Sequence, residues 1–180
     1  SESGIYSNLL LCRGRGFPLY CPGPQINLPA QYRGTGVAIG DVGTVTVEGD
    51  FDFFFNIYLP ASDPINTHVP EEFVPLQVVL SSMSRLRKPQ SHAHSFMHSS
   101  TVGGQFVFEC AGANGAVLAL PHGAHLQKLE NLASMRRYAA KHAESWYKYV
   151  RETRGRELGN GSLFLITGCE KAQSWGMASF

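Results

Sequence analysis

An α+β fold, with mostly antiparallel strands and one long amphipathic helix packed on the sheet, is the architecture this sequence predicts. Three observations lead there. Alternating apolar runs flank two tight-turn signals, Glu48-Gly49-Asp50 and Ala113-Asn114-Gly115, as hairpins require. Only one stretch, about 134–153, places apolar residues at helical spacing. The regular alternation of strand and helix that builds a parallel sheet is missing. With 180 residues, 43% of them hydrophobic, the chain can bury a core of its own.

Residues 1–35 read as an irregular arm. Between 13 and 34 stand Gly14, Gly16, Pro18, Pro22, Gly23, Pro24, Pro29 and Gly34, a density of helix breakers that permits only turns and short extended pieces. A single α+β domain is expected over 36–180. Its first block, "GVAIGDVGTVTVEGDFDFFFNIYLP", divides into strands at 36–40, 43–48 and 51–58, with the hairpin turn at 48–50. Phe51, Phe53, Phe55 and Ile57 then share a core face, and Asp50, Asp52, Phe54 and Asn56 the opposite one. "VPLQVVL", 74–80, reads as a further strand. The stretch 81–103 has neither period and is expected to be a long basic loop rich in serine and histidine. No acidic residue occurs from 73 to 108, while Arg85, Arg87 and Lys88 do.

Strands follow at 103–112 and 115–121, joined as a hairpin through Asn114-Gly115, with Phe106, Phe108 and Cys110 in phase. The helix starts at a cap, Asn131 or Ser134, and carries Leu132, Met135, Ala139, Ala143, Trp146 and Val150 on one stripe. Ser162–Cys169 and Trp175–Phe180 read as the last two strands. The final run stops inside an apolar strand, so the expectation is a chain truncated at its carboxyl end with an open sheet edge.

Charge and motif content narrow the function. Lys plus Arg is 15 against 14 for Asp plus Glu, which argues against nucleic acid and anionic lipid as partners. No apolar run approaches the roughly 18 residues that span a bilayer. The amino end lacks the order of a secretory signal, and Cys12, Cys21, Cys110 and Cys169 are too scattered for a zinc ribbon or a disulfide scaffold, so a soluble cytoplasmic protein is expected. Gly34-Thr35-Gly36 through Gly40 misses the dinucleotide spacing, and P-loop, zincin and nucleophile-elbow motifs are absent. An enzyme is therefore disfavoured.

The candidate chemical groups are few. Asp50 and Asp52 could hold a hard divalent ion but read first as solvated hairpin charges. Cys110 with His122 or His125 is the best thiol and base combination, although its phase with Phe106 and Phe108 makes it a buried, inert thiol. "SHAHSFMH" holds His92, His94 and His98. No single strand or helix gathers all three, but a loop could, with His122 or His125 as an outside ligand for zinc. No carboxylate lies in the segment to orient them, so the default is no cofactor, with zinc as the alternative.

The runs "YRGTGVAIGDVGTVTVEGDFDFFFNIYLP" and "GAVLALPHGAHLQKLENLASMRRYAAKHAESWYKYVRETRGRELGNGSLFLITGCEKAQSWGMASF" resemble a family of uncharacterised fungal proteins, chiefly from mushroom-forming basidiomycetes. The similarity covers most of 18–180 and implies an amino-terminal portion of a longer protein. It implies no activity. The expectation is then a non-catalytic recognition or assembly module that contacts a protein partner, or itself, through an open sheet edge. The alternative is a metal-binding protein or enzyme using His92, His94, His98 and His122 or His125.

Overall fold

The computed structural model describes residues 1–77 and 113–180 in full and, between them, the backbone of four strands. In chain order the elements are α1 (Glu2–Leu11), α2 (Ala30–Thr35), β1 (Asp41–Val45), β2 (Phe51–Asn56), β3 (Ser82–Arg87), β4 (Gln90–His94), β5 (Met97–Val102), β6 (Gln105–Cys110), β7 (Ala116–Leu120), β8 (Ala124–Leu129), α3 (Ala133–Glu152), β9 (Phe164–Leu165), β10 (Gly168–Lys171) and β11 (Gly176–Ser179). Every strand pair is antiparallel. The fold is α+β, with one long helix against antiparallel sheet.

The β1–β2 hairpin forms where the turn signal lies, with Gly49 at φ +86, a conformation that side chains with a Cβ rarely adopt. The Thr46 hydroxyl donates to Asp50 across the turn. Two details differ from expectation. Residues 36–40 are a turn and not a strand, because the Asp41 carboxylate accepts the Ala38 N–H and closes the chain on itself. The pairing also slips between Val42 and Gly43: Val42 lies opposite Phe55 and Gly43 opposite Phe53, which leaves Phe54 as an extra residue. Phe54 is therefore not on a solvated face. All of β2 is buried, Phe54 and Phe55 beneath α3, Phe51 and Phe53 beside Tyr32 and Ile65.

The stretch expected to be a loop is largely strand. β3 pairs with β8 from Ser82↔Leu129 to Arg87↔Ala124, β4 with β7 from Gln90↔Leu120 to His94↔Ala116, and β5 with β6 from Met97↔Cys110 to Val102↔Gln105. These nested pairs form one long ribbon that starts at 82 and returns by 129. Consequently β6 and β7 are not partners, and the hairpin expected at Asn114-Gly115 is replaced by reciprocal bonds between Gly115 and Phe180. The serine- and histidine-rich segment lacks an alternating apolar signal of its own and is in strand form through the ladders offered by β8, β7 and, for β5, the adjacent β6. Residues 74–77 are not strand, and 78–80 of the same expected element lie outside the described residues.

The carboxyl segment adds one strand to each of the three three-stranded sheets. β9 pairs with β1, β10 with β8 and β11 with β7, so one stretch of chain is hydrogen-bonded first to the hairpin and then along the ribbon. α3 covers the hairpin with Met135, Trp146, Tyr149 and Val150, and the Phe55 ring meets Trp146 and Tyr149 edge-on at 5.7 and 5.9 Å. Its start is served by Asn131, whose Oδ1 accepts the Ala133 N–H. The arm is less irregular than expected: α1 buries Tyr6 and Leu10 against Ala116, with Leu118 and Met177 alongside, and α2 buries Tyr32. Ten residues free of glycine and proline, except Gly4, precede the breaker-rich stretch, and an apolar surface on β7 gives them a docking face.

Candidate functional site

Among the described residues, no further strand pairs with the outer side of β10 or β11. β10 and β11 are terminal in their strand orders, β10-β8-β3 and β11-β7-β4. They are not equally accessible. β10 is flanked by side chains, since Glu170 pairs with Arg15 at 3.7 Å and the Lys171 ammonium donates to the Thr35 carbonyl. Among the described residues β11 carries no such cover: Gly176 and Ala178 are exposed, and none of these residues lies within 4 Å of the position a side chain on Gly176 would fill. Trp175 and Phe180, at its two ends, are 47% and 48% exposed. Met177 points the other way, into the cluster around Tyr6 and Leu10. Natural edge strands are commonly blunted by lysine, proline or an inward charge. "AQSWGMASF", 172–180, contains none of these.

The histidines do not form one cluster along the chain. His92 and His94 occupy alternate positions of β4, opposite Leu118 and Ala116, whereas His98 belongs to β5, opposite Glu109. Residues 95 and 96, between them, lie outside the described residues, as do the side chains of the three histidines. His122 sits in the connection from β7 to β8, past the Gln90↔Leu120 pair, with its Nδ1 2.7 Å from the Ser174 hydroxyl. His125 lies in β8 opposite Lys171 and Leu86. Among the described residues no group of three or more His, Cys, Asp or Glu side chains is gathered as a metal site would require.

The thiol reading rested on a β6–β7 hairpin to bring a histidine to Cys110. That pairing is not made. On β10, burial and the Asp41 charge push the Cys169 thiol pKa up against the opposing influence of Lys171. A thiol held protonated in this way is a poor nucleophile. Asp50 and Asp52 do not act as a pair either: Asp50 is taken by Thr46 and Gln25, while Asp52 is buried and meets Arg156 Nε at 3.0 Å.

One polar cluster was not foreseen. Asp41, only 1% exposed, accepts from the Ala38 N–H at 2.7 Å, Asn56 Nδ2 at 2.7 Å and the Tyr32 hydroxyl at 2.9 Å. Asn66, equally buried, accepts the Asn56 N–H and donates to the carbonyls of Asn56 and Leu59. Desolvation raises the Asp41 pKa from 3.8 to about 6, although the three donors and Lys171 act against it. Burial likewise raises Tyr32, with the Asp41 charge adding to it. Every polar atom of the Asp41 carboxylate has a partner inside the protein, and the cluster ties α2, β1, β2 and residues 59–66 together. It is a structural lock. Only the spacing of Asp41, Asn56 and Asn66 existed in the sequence, and no local pattern marks residues that meet through folding.

Compared with family models, curated proteins and solved structures, the chain has no significant match in any of the three.

Proposed function

We propose that this chain is a non-catalytic recognition or assembly module that adds a strand, from a protein partner or a second copy, to the edge at β11. The observation that carries the proposal is the unprotected stretch 175–180, hydrogen-bonded on one side only, with small exposed residues between two half-exposed aromatic rings. Backbone pairing would supply affinity there, and Trp175 and Phe180 would supply apolar contact at each end. The free thiols of Cys12 and Cys21, both exposed, fit a reducing compartment such as the cytoplasm. No described helix is long and apolar enough to cross a membrane. The fungal resemblance adds no activity that would compete with a binding role.

Sedimentation velocity across a concentration series tests the edge. Wild type should associate as concentration rises, and Ala178→Lys, which sets a charge on the exposed face of β11, should stay monomeric with an unchanged melting temperature. Indistinguishable sedimentation of the two proteins would overturn the proposal. A second reading keeps one observation in its favour. His92 and His94 stand two apart in one strand, roughly 7 Å along it, a spacing at which two imidazoles can share one zinc ion with His98 or His122 completing the set.

A further inference from the structure

Just past the end of α3 the chain runs Thr153-Arg154-Gly155-Arg156, and Thr153, Arg154 and Arg156 with His68 border an open cleft of about 420 Å³. Gly155 adopts φ +61, a left-handed conformation that turns the backbone so that the arginines on either side both reach this cleft. The guanidinium groups are not needed to finish the helix. The N–H groups of Thr153 and Arg154 bond to the Tyr149 carbonyl, and the Arg156 N–H bonds to the Val150 carbonyl, so the backbone caps itself.

Each arginine is held in place by a group other than the cleft. Arg156 uses Nε on the buried carboxylate of Asp52, which leaves its two terminal nitrogens free of that ion pair. Its side chain is 53% exposed while that of Asp52 is 6% exposed, so the pair fixes the stem and presents the fork outward. Arg154 lies over the Phe54 ring, 5.7 Å from its centre. It also neighbours the buried Tyr149 hydroxyl, where its charge and hydrogen-bonding favour the phenolate against the effect of burial. Among the described residues Arg154 has no carboxylate partner. Two guanidinium groups thus border one cleft, only one of them paired with a carboxylate, beside the exposed side chains of His68 and Thr153.

We infer that this cleft binds a phosphate-type oxyanion, in the form of a small phosphomonoester, through Arg154, Arg156, Thr153 and His68. Several donors from four side chains lining one cleft suit a tetrahedral anion with three or four oxygens better than a carboxylate with two. The cleft is open and wider than one phosphate needs, so an organic body can extend from the anion along the surface. Its lining carries no carboxylate, and the nearest, Asp52, is already turned to Arg156. This site is independent of the β11 edge.

The full chain is titrated with inorganic phosphate and with phenyl phosphate at constant ionic strength, and binding is followed by calorimetry and by the shift in melting temperature. Saturable binding is expected, tighter for phenyl phosphate, with no response to chloride. Arg154→Gln should weaken it by about tenfold or more, the ordinary effect of losing a charge-assisted hydrogen bond. His68→Ala should weaken it by a smaller factor, while Arg137→Gln, on the exposed side of α3, should leave it unchanged. Because Arg154→Gln also removes the contact with Phe54, Arg154→Lys is measured beside it, and its affinity should fall between the two. Vesicles bearing phosphatidic acid, competed with soluble phosphate, distinguish a lipid headgroup from a free ester, since only the first would retain protein on the membrane. Absence of saturable phosphate binding to the wild type, or equal weakening by Arg137→Gln and Arg154→Gln, would overturn the inference.

Discussion

Replacing Asp41 with Asn should flatten a pH dependence of stability that this carboxyl creates. In the folded protein three donors, at 2.7, 2.7 and 2.9 Å, favour the carboxylate, yet burial outweighs them and lifts the pKa from 3.8 to about 6. Between those values the folded chain retains a proton that the unfolded chain has lost. Stability from this group is therefore fully present below pH 3.8 and is lost as pH rises through about 6. At about 1.4 kcal/mol per pH unit the loss totals about 3 kcal/mol. Asn cannot titrate. Its amide also sets a donor against the Asn56 amide, a fixed cost of about 1–3 kcal/mol that moves the variant's whole curve without tilting it. Urea unfolding, followed by tryptophan fluorescence at several pH values from about 3.5 to 7.5, gives both curves, and groups common to the two proteins cancel in their difference. The advantage of wild type over Asp41→Asn should shrink by about 3 kcal/mol as pH rises. A difference that stays flat or grows with pH would mean that the donors outweigh burial, and would refute the assignment of desolvation as the dominant effect.

Trp146→Ala should cost about 3–5 kcal/mol, because its ring is buried between Phe55 and Tyr138 under α3, and thermal unfolding reads the loss directly. Gly43→Ala should destabilise by roughly 1–3 kcal/mol, since the new Cβ would stand 2.5 Å from the Asp52 carbonyl and from the Phe51 ring at the bulge; an unchanged melting temperature would show that the bulge yields. Under the zinc reading, purified protein should carry one zinc ion per chain that the pair His92→Ala and His94→Ala removes, and metal analysis without zinc in the wild type would dismiss it.

Local patterns determined those parts of the fold whose partners lie close in sequence. The turn at 48–50 sits between runs that pair with each other, and the stripe from Leu132 to Val150 repeats at the period of the helix that buries it, so the existence of the β1–β2 hairpin and of α3 is legible in the sequence, though not the exact strand bounds or the bulge. Alternation also marked β6 and β7 as strands. It could not name their partners, because period two states which side chains share a face and says nothing of which ladder the backbone joins. β7 pairs with β4 and β11, and β8 with β3 and β10, across separations that no local window contains. For the same reason Ser82–His94 reads as loop, since β3 and β4 depend on the distant β8 and β7 and not on an apolar pattern of their own, while β5 pairs with the adjacent β6 but lacks an alternating pattern to announce it. The bulge that buries Phe54, the closing of Asp41 by Tyr32 and Asn56, and the meeting of His68 with Arg154 and Arg156 are tertiary facts. Each is settled by surfaces that come together only after the hairpin, the ribbon and α3 have packed, when burial gives polar side chains both a reason and a geometry for finding one another.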